Sequence, residues 1–242
     1  MNRTWTRRAK PLLGTLVDVG AAGASEAAIA AAFNVIGEVQ AALSRFDPAS
    51  DIARFHALPA GASLAVHRHT AAVLSAAQHL HDASDGLFDI SLGSAPAGWR
   101  CDGTHLHKLS DAVRLDLGGI AKGYAVDRAV DALIERGCRA GWVNAGGDVR
   151  AFGDAELPLA LRDEAAGGVR SFATLADGAF ATSHFDPHSR SQAAAPGRAI
   201  RAHASVAAPL CLWADALTKL VAISGDTSHP LLATYAAQAW LH

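Results

Sequence analysis

Residues 113–153, VRLDLGGIAKGYAVDRAVDALIERGCRAGWVNAGGDVRAFG, constrain this chain more than any other stretch. Val113-Arg114-Leu115-Asp116-Leu117 alternates apolar and polar side chains, the period of a half-buried strand. Gly118 and Gly119 interrupt it. From Ile120 to Arg136, Tyr124, Val126, Val130, Leu133 and Ile134 recur at helical spacing, and Gly137 stands where such a helix ends on a left-handed residue. The short apolar run Trp142-Val143 then leads into Asn144-Ala145-Gly146-Gly147-Asp148. The pattern predicts a strand, a glycine turn, a helix and a second glycine turn.

A helix that starts after paired glycines offers unpaired backbone N–H groups and a partial positive charge to an anion. Asp116 at the strand end and Lys122 in the first helical turn place opposite charges around that start. Two glycine turns, each beside an aspartate, suit a backbone that approaches a polyphosphate from two sides. A tight strand–helix connection carrying surface charges is the other reading. The G-x-G-x-x-G pattern of a Rossmann fold and the G-x-x-x-x-G-K-[ST] of a P-loop are both missing from the segment.

At 242 residues the chain can hold one large domain or two small ones, with ample core. Half of it is hydrophobic, but alanine supplies much of that share. The formal charge of −2 gives no case for nucleic acid or an anionic membrane as partner. Cys101, Cys138 and Cys211 are too dispersed for a disulfide framework or a cysteine metal site. The histidines form no zinc pattern, and His67, His69, His79, His81, His105 and His107 read as solvated surface. Arg7-Arg8 precedes no apolar segment of useful length, so the expectation is no signal peptide, no membrane span and a cytoplasmic location.

Elsewhere the pattern predicts a strand over Lys10–Val19. A helix follows from Ser25 to Leu43, with Ser25 as N-cap and Ile29, Phe33, Ile36, Val39 and Leu43 on one face. A second helix spans Thr70–Ser84. Leu87–Gly93 reads as a strand and Ala95–Lys108 as a loop. Leu157–Arg162 and Val169–Leu175 form a hairpin around Gly167-Gly168. Ala204–Pro209 is a late strand, and Leu210–Ser224 a last helix.

The run Asp116-Leu-Gly-Gly-Ile-Ala-Lys-Gly-Tyr-Ala-Val-Asp127, followed by Asn144-Ala-Gly-Gly-Asp148, resembles the ApbE-type FAD:protein FMN transferases. So do Leu13-Gly-Thr15, Phe46 beside Asp47-Pro-Ala-Ser-Asp-Ile52, Gly86-Leu-Phe-Asp-Ile-Ser91, Ala181-Thr-Ser183 and Ala214-Asp-Ala-Leu-Thr-Lys219. The likeness covers roughly residues 10–225. It implies an α/β (mixed α+β) fold in a single domain over residues 1–242: a mixed sheet, helices packed on it, and an FAD cleft at the glycine-rich turns. The implied reaction is Mg2+-dependent transfer of FMN from FAD to a threonine hydroxyl of a target protein, a redox or respiratory protein in this family, with AMP leaving. The implied FAD contacts are Leu13, Phe46, Leu87, Phe88, Asp89, Asp116, Lys122, Gly146, Gly147, Thr182 and Ser183. Asp215, the Gly119 carbonyl and Thr218 would hold Mg2+, with Lys122 and His184 as catalytic groups.

Three departures from the family pattern stand out. Leu13 replaces the usual methionine. After Ser183 either His184-Phe-Asp186-Pro187 is a shortened H-x-x-D-P motif, or that motif has become Ala194-Ala-Pro-Gly197. Four residues after Asp215, where the family places a hydroxyl ligand, stands Lys219, which cannot ligate while protonated but can contact a phosphate. Thr218 lies about 100° away around the helix. Two other functions use the same residues: hydrolysis of FAD to FMN and AMP, and flavin binding without catalysis.

Overall fold

The computed structural model describes residues 4–162, 167–185, 200 and 203–242. β1 (Trp5–Leu12) and β2 (Thr15–Ala22) form a hairpin about Leu13-Gly14, where a single strand over Lys10–Val19 was expected. Leu13 and Gly14 both take positive φ, which reverses the chain, and Leu16 ends up 61% exposed. β2 pairs with β6 (Gly141–Ala145), and β6 with β7 (Asp148–Arg162). β8 (Val169–Ser183), β9 (Ala204–Ala208) and β10 (Gln238–Leu241) continue the order to β1-β2-β6-β7-β8-β9-β10. Every described pairing is antiparallel, so the sheet is not the mixed one expected. β7 and β8 outrun their neighbours: beyond Phe152 and before Ala179 they pair, among the described residues, only with each other, as a two-stranded ribbon with two register shifts.

Three helices cover one face of this sheet. α1 (Glu26–Leu43) begins at Ser25, whose hydroxyl accepts the Ala28 N–H, and buries Ile29, Phe33, Ile36, Val39 and Leu43 as their spacing predicts. Complete burial of each such side chain contributes roughly 1.5–3 kcal/mol. On length and composition alone α1 is apolar enough to cross a bilayer, but these residues form core. α4 (Ala121–Glu135) and α5 (Cys211–Ser224) lie beside it, over β6 to β9. Further out come α2 (Asp51–Ala57), α3 (Arg68–Ala83) and a small sheet of β3 (Ser63–Ala65), β5 (His105–Lys108) and β4 (Trp99–Cys101). That sheet occupies much of the region expected to be loop. α6 (Pro230–Thr234) precedes β10. On the other face of the main sheet, Val149, Ala151, Leu161, Leu175 and Phe180 form a smaller apolar cluster, with Phe172 and Trp240 packed against it.

Two expected strands are extended or turning segments outside the sheets. Val113, Leu115 and Leu117 are buried in alternation as predicted, but their neighbours are not strands. The Leu115 N–H donates to His56 Nε2 at 2.9 Å and the Asp116 N–H to the Ile90 carbonyl at 2.7 Å. Leu87–Gly93 is a turn: the Asp89 carboxylate accepts from the Ser91 and Gly93 amides, and Leu92 has positive φ. His69, expected at the surface, is buried with its Nδ1 against the Tyr124 hydroxyl at 2.8 Å.

Candidate active site

α4 and α5 touch at Gly123, and the candidate site forms around that contact. The Gly123 N–H donates to Asp215 Oδ2 at 3.1 Å, and a Cβ on Gly123 would lie 2.2 Å from the Cys211 carbonyl oxygen. Only glycine lets the helices approach so closely. α5 has no N-cap side chain of its own. Asp127, one turn further along α4, supplies it: its two oxygens accept the Cys211 and Leu212 amides at 2.9 and 2.8 Å, and Arg150 donates to it at 3.0 Å. One buried carboxylate thus fixes α5 against α4 and β7.

This packing brings together four charged side chains from distant parts of the sequence. Lys122 on α4 pairs with Asp148 at the start of β7, and Lys219 pairs with Asp215 four residues before it on α5. Asp148, Asp215 and Lys219 are buried and Lys122 is half-buried, so the cluster sets two ammonium groups against two carboxylates largely out of water. Burial opposes ionisation of Asp215, but Lys219 and Lys122 outweigh it and hold the carboxyl below the usual range. Burial likewise acts to lower Lys122, and Asp148 and Asp215 more than offset it, raising the ammonium pKa. Asp148 is pushed up by burial and by the negative charge of Asp215. Ser183 Oγ lies 2.6 Å from Thr218 Oγ1, which in turn donates to the Asp215 carbonyl at 2.6 Å.

Lys219 also lines a shallow cleft, partly open to solvent, with Phe88, Asp89, Ile90, Leu92, Asp116 and Gly119. Asp116 is held there by the Gly118 N–H at 2.8 Å and Arg45 at 2.7 Å. Arg45 in turn lies over the Phe46 ring, 4.8 Å from its centroid, and Phe46 is 81% exposed. Leu87 is half-buried in the turn beside Phe88. Gly146 and Gly147, both at positive φ, form the two-residue turn between β6 and β7. That turn abuts Thr15, and so the Leu13 turn, at the same end of the sheet.

Lys122, Asp215, Gly119, Ser183 and Thr218 therefore converge, and Phe88, Asp89 and Asp116 share the adjoining cleft. Thr182 does not join them. Strand alternation turns it to the opposite face, where its hydroxyl meets Ser205 Oγ at 2.9 Å and Ser205 meets His242. His184 stacks on His203, with ring centroids 3.9 Å apart. Asp186, Pro187 and residues 194–197, the two candidates for the continuation of its motif, lie outside the described residues. Sequence reasoning did not name Asp148, Asp127 or Arg45 as site residues. The first two close the very motifs that drew attention, each as the final aspartate.

The sequence profile of the ApbE family matches residues 13–112 and 99–239. A protein of Rhodobacter capsulatus named FAD:protein FMN transferase is 30% identical over 204 residues, taking in 69% of this chain. The chain spans 39% of that relative's length. The flavin transferase ApbE of Vibrio cholerae superposes with a TM-score of 0.87 at 19% identity, covering 99% of this chain and 94% of the other. The apo flavinyl transferase ApbE of Pseudomonas stutzeri gives 0.84 at 22% identity, with 99% and 91% covered. With the profile running from the first hairpin turn into the last strand, and the fold reproduced nearly end to end, the chain belongs to the ApbE family.

Proposed function

We propose that this protein transfers the FMN part of FAD to a threonine hydroxyl of a target protein and releases AMP. The observation that carries this reading is the convergence of Lys122, Asp148, Asp215 and Lys219, from three separate motifs, beside the cleft of Phe88, Asp116 and Gly119. The name of the Rhodobacter capsulatus relative supports the same reaction. Transfer of a phosphoryl group needs alignment and charge neutralisation more than covalent help. The two ammonium groups, Lys219 buried and Lys122 half-buried, supply oriented N–H donors, and Asp215 and Asp148 keep them in place.

The exposed Phe46 ring offers a face to the isoalloxazine, with Leu13, Leu87 and Phe88 as apolar contacts. Asp89 and Asp116 shape the cleft through their turns, and the backbone at Gly147 is open to a close approach. The Ser183 hydroxyl reaches the charged cluster through Thr218. His184, expected from the family resemblance to take the threonine proton, instead stacks on His203 near His242, on the Thr182 side, and is not assigned that role.

Of the three donors expected for Mg2+, which the family resemblance implies, Asp215 and Thr218 are engaged, which leaves the Gly119 carbonyl. Asp215 Oδ1 is bound by Lys219 and Oδ2 by the Gly123 amide, and the Thr218 hydroxyl lies between the Asp215 carbonyl and Ser183. A hard cation that requires several oxygen ligands does not fit this set, and the transfer is derived without one.

The test is to incubate the protein with FAD and an acceptor protein carrying a flavinylation threonine, then weigh the acceptor. A gain of one FMN, absent without FAD, supports the transferase. Free FMN and AMP with an unmodified acceptor support hydrolysis, and intact FAD supports a flavin-binding protein.

A further inference from the structure

Lys219 follows Asp215 by one helical turn and is only 4% exposed. An ammonium has three donors and no acceptor. Two go to a single residue, the Asp215 carboxylate Oδ1 and, at 2.9 Å, the Asp215 carbonyl. The stem runs along the cleft wall over Gly119, where a Cβ would come within 3.1 Å of Lys219 Cε. Confining a long charged side chain this way is costly in entropy and desolvation. A carboxylate with both oxygens satisfied repays that cost, and it leaves one ammonium hydrogen beside the cleft.

We propose that Lys219 is the built-in cation of this site. Its ammonium takes the carboxylate that a divalent metal would need and meets the pyrophosphate of FAD with its remaining N–H, so that FMN transfer proceeds without a divalent metal. This rests on the transferase reading above. The step balances without a metal. The threonine oxygen forms a bond to the FMN phosphorus, and the bond from that phosphorus to the bridging oxygen breaks. AMP leaves with the electron pair, and the hydroxyl proton passes to a base. One ammonium carries half the charge of Mg2+. Lys122, paired with Asp148, and Arg45, paired with Asp116 at the cleft, add further N–H donors to the same region.

Two measurements on the wild-type protein decide the matter, and the Lys219→Thr variant sharpens them. The first is the rate of FAD cleavage, followed as AMP release with acceptor present, in EDTA and in millimolar Mg2+. The wild type is expected to keep its rate within about twofold in EDTA, whereas Lys219→Thr loses roughly tenfold in EDTA and recovers with Mg2+. A wild-type rate that collapses in EDTA and returns with Mg2+ overturns the proposal. The second measurement uses Mn2+ as probe, by electron paramagnetic resonance, with FAD present. Mn2+ stays free with the wild type and binds to Lys219→Thr. One Mn2+ bound by the wild type and lost in Asp215→Asn overturns the proposal even if no turnover is seen. Absent FAD cleavage with Mn2+ left free would instead sink the transferase reading and leave Lys219 as the occupant of the cation position.

Discussion

Gly123→Ala and Gly37→Ala are the same change in two helices and are expected to act with opposite sign. In α4 a Cβ at 123 would meet the Cys211 carbonyl oxygen at 2.2 Å and Asp215 Cβ at 2.9 Å, whereas at Gly37 in α1 it meets nothing within 4 Å. To relieve the first clash the two helices must part by roughly 1 Å, and close-packed interiors resist such overpacking at about 1–3 kcal/mol. The same displacement stretches the Gly123–Asp215 bond, and a hydrogen bond to a charged group contributes about 1.5–3 kcal/mol. Alanine's better helix propensity returns about 0.8–1 kcal/mol at either position. The net is a loss of about 2–4 kcal/mol for Gly123→Ala and a gain of about 0.8 kcal/mol for Gly37→Ala. For a chain of this size each kcal/mol shifts Tm by about 2–4 °C, so the first variant should melt about 5–15 °C lower and the second about 2–3 °C higher. Thermal unfolding followed by circular dichroism reads both. A Gly123→Ala variant that melts at or above the wild type refutes the close-contact argument, because it would mean the helices have slack at the place where the site is formed.

Three further perturbations test other parts of the argument. Lys122→Met should cost about 3–5 kcal/mol in urea unfolding, because it leaves the buried Asp148 without its partner, and Lys122→Met with Asp148→Leu should recover more than half of that; an unaltered midpoint in the single variant contradicts the pairing. His56, His69 and His242 all have pKa values lowered chiefly by burial, so the folded state binds fewer protons than the unfolded chain. Their contribution is fully present above the ordinary value of 6.5 and is lost as pH falls through it, so Tm should decline between about pH 7.5 and 5.5, and a flat profile would exclude this linkage. Phe46→Ala should leave Tm within about 1 °C, since the ring is exposed, yet weaken FAD binding by roughly tenfold in a fluorescence titration; unchanged affinity removes Phe46 from the flavin site.

α1 was legible because it carries two independent signals, whereas the short α2 and α6 were not read from the sequence. Ile29, Phe33, Ile36, Val39 and Leu43 mark a face of α1, and Ser25 marks its start. The segment Val113–Leu117 shows where such signals stop. Alternation reports which side chains are buried, and these are, but it does not report which groups take the amides. For the site, the motifs pointed to Lys122 and Asp215, and the Lys219–Asp215 pair was available from helical spacing alone. The Lys122–Asp148 pair was not, because it depends on how β6 and β7 bring the end of a glycine turn back to α4. Nor was the role of Asp127, whose cap serves a helix that begins 84 residues later in the chain. Thr182 and Ser183 are neighbours in one motif, yet the sheet sends them to opposite faces.

The β7–β8 ribbon bears on how this protein stays in solution. Where two strands leave their sheet, edges that no described strand covers can take a strand from another molecule. Here those edges are poor templates. Pro158 has no amide hydrogen to offer, Glu156, Arg162 and Arg170 set charges along the strands, and the register shifts after Ala151 and Leu159 bend the pair out of flatness. A long hairpin that reads in sequence as a plain run of strand is thus guarded against edge-to-edge polymerisation by the very residues that make it irregular.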